Sequence, residues 1–127
     1  MRRLTARWVR KAEDDLAGAR RLEHGKPPLH DLACYHCQQS AEKYLKALLQ
    51  EWGLVPPRTH NLDDLLILLL PRDAVLRSLN RRTHSLTRYA VAIRYPGKRA
   101  TRREAQAALR HAEAVRRQIR TRLGLAP

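Results

Sequence analysis

Apolar residues in this chain recur at steps of three and four, the period of a helix, and no window alternates in twos as a half-buried strand would. In the first stretch Trp8, Val9, Ala12, Leu16, Ala19 and Leu22 form one stripe, with Glu13 and Asp14 off it. Gly25-Lys26-Pro27-Pro28 stops it, because two prolines cannot continue a helix. The second stretch is the strongest: Leu29, Leu32/Ala33, Cys37, Ser40/Ala41, Tyr44/Leu45, Leu48/Leu49 and Trp52 share one side. The side away from them carries Gln39, Lys43, Lys46 and Gln50. Gly53 closes this helix, and Pro56-Pro57 follow as a stiff extended connector. Asn61 is placed to cap a short third helix, with Asp64 adding negative charge to its first turn and Pro71 ending it. A fourth helix is predicted from near Asp73, its stripe being Leu76, Leu79, Thr83, Leu86, Ala90 and Ile93, with a break at Pro96-Gly97. Thr101 and Glu104 then fit a capping box. The last helix turns Ala105, Ala108/Leu109, Ala112, Val115, Ile119 and Leu123 inward and ends at Gly124. The pattern predicts an all-α fold, an antiparallel four-helix up-and-down bundle with one additional short helix, as a single domain over 1–127. The small residues Ala105, Ala108 and Ala112 predict a close helix approach.

Composition bounds this picture. A chain of 127 residues buries enough surface to fold without a disulfide or metal. It has no Phe and only 5% aromatic residues, so its core is built from Leu, Ala, Val and Ile. The longest apolar run, Leu65 to Leu70, is far short of the roughly twenty residues a membrane span needs. The basic segment Met1–Arg7 is followed by no apolar stretch, which predicts no secretory signal and a cytoplasmic location. There Cys34 and Cys37 are expected as thiols. The net charge is +14, from 26 basic and 12 acidic residues, and 21 of the basic residues are arginine. Such a field attracts phosphate polymers and acidic proteins. An arginine-rich solvated surface accounts for the same count.

The second helix locates what the charge does not. It contains Gln38-Gln39-Ser40-Ala41-Glu42-Lys43-Tyr44-Leu45-Lys46-Ala47. Trp8, Ala12 and Asp14/Asp15-Leu16 precede it, and Thr59-His60-Asn61-Leu62 and Arg94-Tyr95-Pro96 follow in order. Together these resemble the HEPN family (higher eukaryotes and prokaryotes nucleotide-binding), in its small prokaryotic stand-alone form. The resemblance implies a homodimeric helical bundle that partners a minimal nucleotidyltransferase in a toxin–antitoxin-like pair. It also implies one of two activities. Some members are metal-independent ribonucleases using an Arg-x4–6-His motif from both subunits, while others bind nucleotides or present substrate without cleaving. Counting from Arg94, that motif needs a histidine at Arg99, Ala100 or Thr101, and none is there. The one formal match, Arg77 to His84, lies inside the predicted fourth helix and leaves a weak catalytic pair. The favoured expectation is therefore binding of nucleotide or RNA, with no independent catalysis and no cofactor. A ribonuclease toxin and a non-catalytic dimerisation scaffold are the alternatives.

The residues expected to bind nucleotide or RNA are Gln39, Lys43, Lys46, His60, Arg94, Tyr95, Arg99, Arg102 and Arg103. Gln39, Lys43 and Lys46 offer amide and ammonium groups on one helix face, although Glu42 and Lys46 also fit an i, i+4 ion pair. His60 lies before the free amides of the short helix, a position suited to an anion or to a packed turn. Arg94 and Tyr95 supply a cation and a stacking ring beside a helix break. His30, Cys34 and Cys37 occupy neighbouring helical positions, yet zinc takes four ligands and the cysteines fall on the apolar stripe, so no metal is expected.

Overall fold

The computed structural model describes residues 1–91 and 95–127, so Ile93 of the expected fourth stripe lies outside the described residues. The chain is an all-helical bundle, and no strand occurs among the described residues. Its frame is three long helices, α1 (Arg3–His24), α2 (His30–Glu51) and α5 (Arg102–Arg122). Two short ones, α3 (Leu62–Leu69) and α4 (Asn80–Thr87), complete it. α2 is the hub and packs against all four others.

Small side chains let α1 and α2 come close: Ala12, Ala19, Ala33 and Ala41 are fully buried, and Ser40 donates its hydroxyl to the Ala12 carbonyl at 2.8 Å. Ala105, Ala108 and Ala112 do the same for α5. In place of phenylalanine, Tyr44 fills the middle of the core, its hydroxyl donating to Glu13. α2 ends as its glycine requires. Gly53 adopts φ 81°, and the Leu54 amide donates back to Leu49 O at 2.9 Å.

The fourth helix expected from Asp73 onward is divided. Ala74–Leu79 and Arg88–Ala90 are 3-10 turns on either side of α4. The Asp73 carboxylate caps the first turn by accepting from the Val75 amide. Within α4, Thr83, Ser85 and Thr87 return their hydroxyls to backbone carbonyls one turn earlier. Such back-bonding favours irregular, short helices over long ones. No helix among the described residues is long and apolar enough to cross a membrane.

Candidate functional site

The polar side of α2 divides into buried and paired groups. Gln38 is fully buried, and Glu42 and Lys46 nearly so. Lys46 Nζ donates to Glu42 Oε2 at 3.1 Å, while His60 Nδ1 donates to Glu42 Oε1 at 2.8 Å. Gln38 Nε2 donates to the His60 carbonyl at 2.9 Å, and Gln39 Nε2 to Gln38 Oε1 at 2.7 Å. The Lys46 ammonium also stands 5.6 Å from the centre of the Trp8 ring. Lys46 is thus not the exposed cation its helical position suggested; it neutralises a buried carboxylate, which would otherwise be left uncompensated. Gln38 and Glu42 tie α2 to the segment before α3 and hold the His60 ring facing solvent, with 66% of that side chain exposed. Lys43 is paired as well: its ammonium meets Asp15, which also accepts from His36 Nδ1 at 2.9 Å.

The entrance to α5 is different. Thr101 Oγ1 accepts from the Glu104 amide, and the Glu104 carboxylate accepts from the Thr101 amide, both at 3.1 Å. The Asp31 carboxylate, at the start of α2, accepts from the Ala100 amide. This fixes the backbone on which Lys98, Arg99, Arg102 and Arg103 stand. All four are exposed, and none makes an ion pair or side-chain hydrogen bond among the described residues. Arg99 lies between two open depressions that share Asp31 and Ala100. One, of about 390 Å³, is completed by Arg88, Tyr89, Gly97, Lys98 and Glu104; the other, of about 310 Å³, by Pro28, Leu29, His30 and Leu32. Gly97, which lines the first depression with Lys98, Arg99 and Ala100, adopts φ 93°, a turn that L side chains rarely make. Arg88 stacks 4.8 Å from the Tyr89 ring centre and donates to its hydroxyl at 2.7 Å. Tyr95 is 60% exposed, and Arg94 lies outside the described residues.

Arg77 and His84 line one groove between α3 and α4, where His84 Nδ1 donates to Asp63 Oδ2 at 3.1 Å. Neither lines the depressions at α5. Arg88, Tyr89 and Asp31 belong to the α5 entrance although no pattern in the sequence marks them: each sits beside an apolar stripe and carries no local motif. The two cysteines are core residues. Burial pushes the Cys34 thiol up to about 12 and Cys37 higher still. His30 Nδ1 donates to Glu23 at 2.7 Å.

The architecture has close counterparts. ST0689, an archaeal HEPN homologue, superposes with a TM-score of 0.77 at 26% identity, over 96% of this chain and 98% of its own. TT1696 from Thermus thermophilus superposes with a TM-score of 0.78 at 28% identity, over 92% of this chain and 96% of its own. No curated protein matches the sequence significantly. The HEPN domain model matches residues 5–121, a span that takes in the glutamine–glutamate–lysine face of α2, the capped start of α3 and the basic entrance to α5. With sequence signature, bundle and family model in agreement, the chain belongs to the HEPN domain family.

Proposed function

We propose that this HEPN chain binds the phosphate groups of a nucleotide or an RNA segment at the entrance to α5. In this reading it has no catalysis of its own and works as a homodimer beside a separate nucleotidyltransferase chain. One observation supports the binding site: Lys98 and Arg99 line two joined depressions, Arg102 and Arg103 are exposed at the same helix entrance, and none of the four has an ion-pair or side-chain hydrogen-bond partner among the described residues. A carboxylate or phosphate there meets guanidinium forks whose donors are unspent. Tyr95, exposed at the same end of the sequence segment, offers a ring on which a base can stack. His60 presents its free ring edge under the hold of Glu42 and is the second candidate contact. Lys43 and Gln39 are kept as outlying contacts, because each must first give up an internal partner.

The test is titration of a labelled single-stranded oligoribonucleotide, and of ATP, at several salt concentrations. Replacing Arg99, Arg102 and Arg103 together by alanine is expected to weaken RNA binding at least about ten-fold and to flatten the log–log salt dependence by roughly two units. Unchanged affinity and slope would remove this site. Binding without cleavage is expected, so total RNA incubated with the wild-type protein stays intact. Co-purification of the chain with a minimal nucleotidyltransferase checks the partner.

A further inference from the structure

The groove between α3 and α4 is a second surface, separate from the α5 entrance. Asp63, Leu66, Ile67 and Leu70 line one wall, and Arg77, Asn80, Arg81 and His84 the other, around a volume of about 440 Å³. One wall follows the three-and-four spacing of the α3 face, and the other runs from Arg77 on the 3-10 turn into Asn80, Arg81 and His84 of α4. They differ in chemistry. Beyond Asp63 the α3 wall is aliphatic: Ile67 keeps 61% of its surface exposed and Leu70 is half-buried. The opposite wall is cationic: Arg77 on the 3-10 turn and Arg81 on α4 are exposed and make no side-chain hydrogen bond or ion pair among the described residues. α3 buries Leu62, Leu65, Leu66 and Leu69, yet leaves Ile67 and Leu68 exposed on the side that also carries Asp63 and Asp64.

We infer that this furrow receives an acidic amphipathic helix from a partner protein, whose apolar ridge covers Ile67 and Leu70 while its carboxylates pair with Arg77 and Arg81. Charge complementarity selects this occupant. The chain carries +14, and an acidic helix neutralises the cationic wall as its leucines cover the aliphatic one. A second copy of the chain meets the furrow with the same two arginines. The carboxylate at hand, Asp63, already accepts from Thr83 and His84. Such an isologous contact buries positive charge without balance. A nucleic acid finds cations here, but the lining holds no Tyr, Trp or Phe ring for its bases, and its one imidazole, His84, is tied to Asp63. The inference does not depend on the α5 site, since the two surfaces share no lining residue.

The probe is a fluorescein-labelled synthetic helix about four turns long, with leucines at i, i+4, i+7 and i+11 and glutamates beside them. A scrambled version and one with lysine for glutamate serve as controls. The wild-type protein is expected to bind the patterned acidic helix at least about ten-fold more tightly than either control. Ile67→Glu and Arg81→Glu, both surface changes whose folding is checked by circular dichroism, are each expected to weaken it about ten-fold or more. Arg81→Glu should also raise the affinity for the lysine version. The alanine replacements at Arg99, Arg102 and Arg103 should leave helix binding intact while removing RNA binding, so failure at one surface is read separately from failure at the other. Equal binding of patterned and scrambled helices overturns the inference. So does a self-association lost in Ile67→Glu, which would make the occupant a second copy. An RNA affinity that falls in Ile67→Glu overturns it equally.

Discussion

Glu13 stands where α1, α2 and α5 meet. Its carboxylate accepts from Arg116 at 2.8 and 3.1 Å and from the Tyr44 hydroxyl, and Arg120 lies 3.6 Å away. Burial pushes this carboxyl up, but the Arg116 and Tyr44 hydrogen bonds and the two guanidinium charges together hold it below its ordinary 4.5. The folded-state value is depressed, so the stabilisation is complete above the unfolded value and is lost as pH falls through the folded one. His111 is also depressed from 6.5, first by burial and then by the charges of Arg82, Arg110 and Arg88. The Arg82 guanidinium donates to its Nδ1 at 3.2 Å, which requires a neutral acceptor nitrogen. The unfolded chain therefore takes this proton first, and stability begins to fall as pH drops below 6.5. Thermal melts across this range should show two arms: His111→Gln flattens the one starting near 6.5, and Glu13→Gln the one below 4.5. At pH 7 Glu13→Gln should cost about 1 kcal/mol, since the pair is partly exposed. Neither network was visible in the sequence. Periodicity placed Glu13 off the apolar stripe, but its partners lie more than thirty and a hundred positions away.

Among the elements, α2 was the most legible and also the most misleading. Its stripe told which side is buried, yet a helix enclosed by four others buries polar positions too. Lys46 and Glu42 looked the same, by spacing alone, as a solvated i, i+4 pair, and only the packing of the Trp8 ring and the His60 segment distinguishes them. Glu42→Ala strands the Lys46 ammonium and frees Gln38 and His60, an expected loss of about 3–5 kcal/mol in urea unfolding. Thr101→Ala removes one side of the α5 capping box and should cost about 1 kcal/mol by the same measurement. The caps of α3 and α5 were readable because capping depends on side chains close in sequence. The division around α4 was not. A 3-10 turn and an α turn place leucines at nearly the same spacing, so Leu76, Leu79 and Leu86 fit either, and the hydroxyl back-bonds that favour a break leave no trace in a hydrophobic pattern.

For the molecule as a whole, some of the positive charge is taken up by internal carboxylates and the rest stays on the surface. Lys43, Lys46, Arg116 and Arg122 are engaged with carboxylates inside or at the edge of the bundle. Among the described residues, the exposed cations at the α5 entrance and beside α3 keep their donors unspent, as do Arg7, Arg10, Lys11 and Arg117 elsewhere on the surface. Net charge alone could not make that distinction, because it counts residues without their partners. The buried thiols report on the same bundle. With Cys34 and Cys37 buried and their acidity suppressed, a neutral-pH thiol reagent should label neither until the fold opens, and Glu42→Ala should speed labelling of both together. The carboxylate of Asp31 has a further use. It clasps the Ala100 amide across the junction of α2 and α5, at the shared edge of the two depressions. That amide proton is a built-in resonance probe: its chemical shift and solvent exchange register a ligand's arrival at the junction without any label, and Asp31→Asn sets the baseline against which the signal is read.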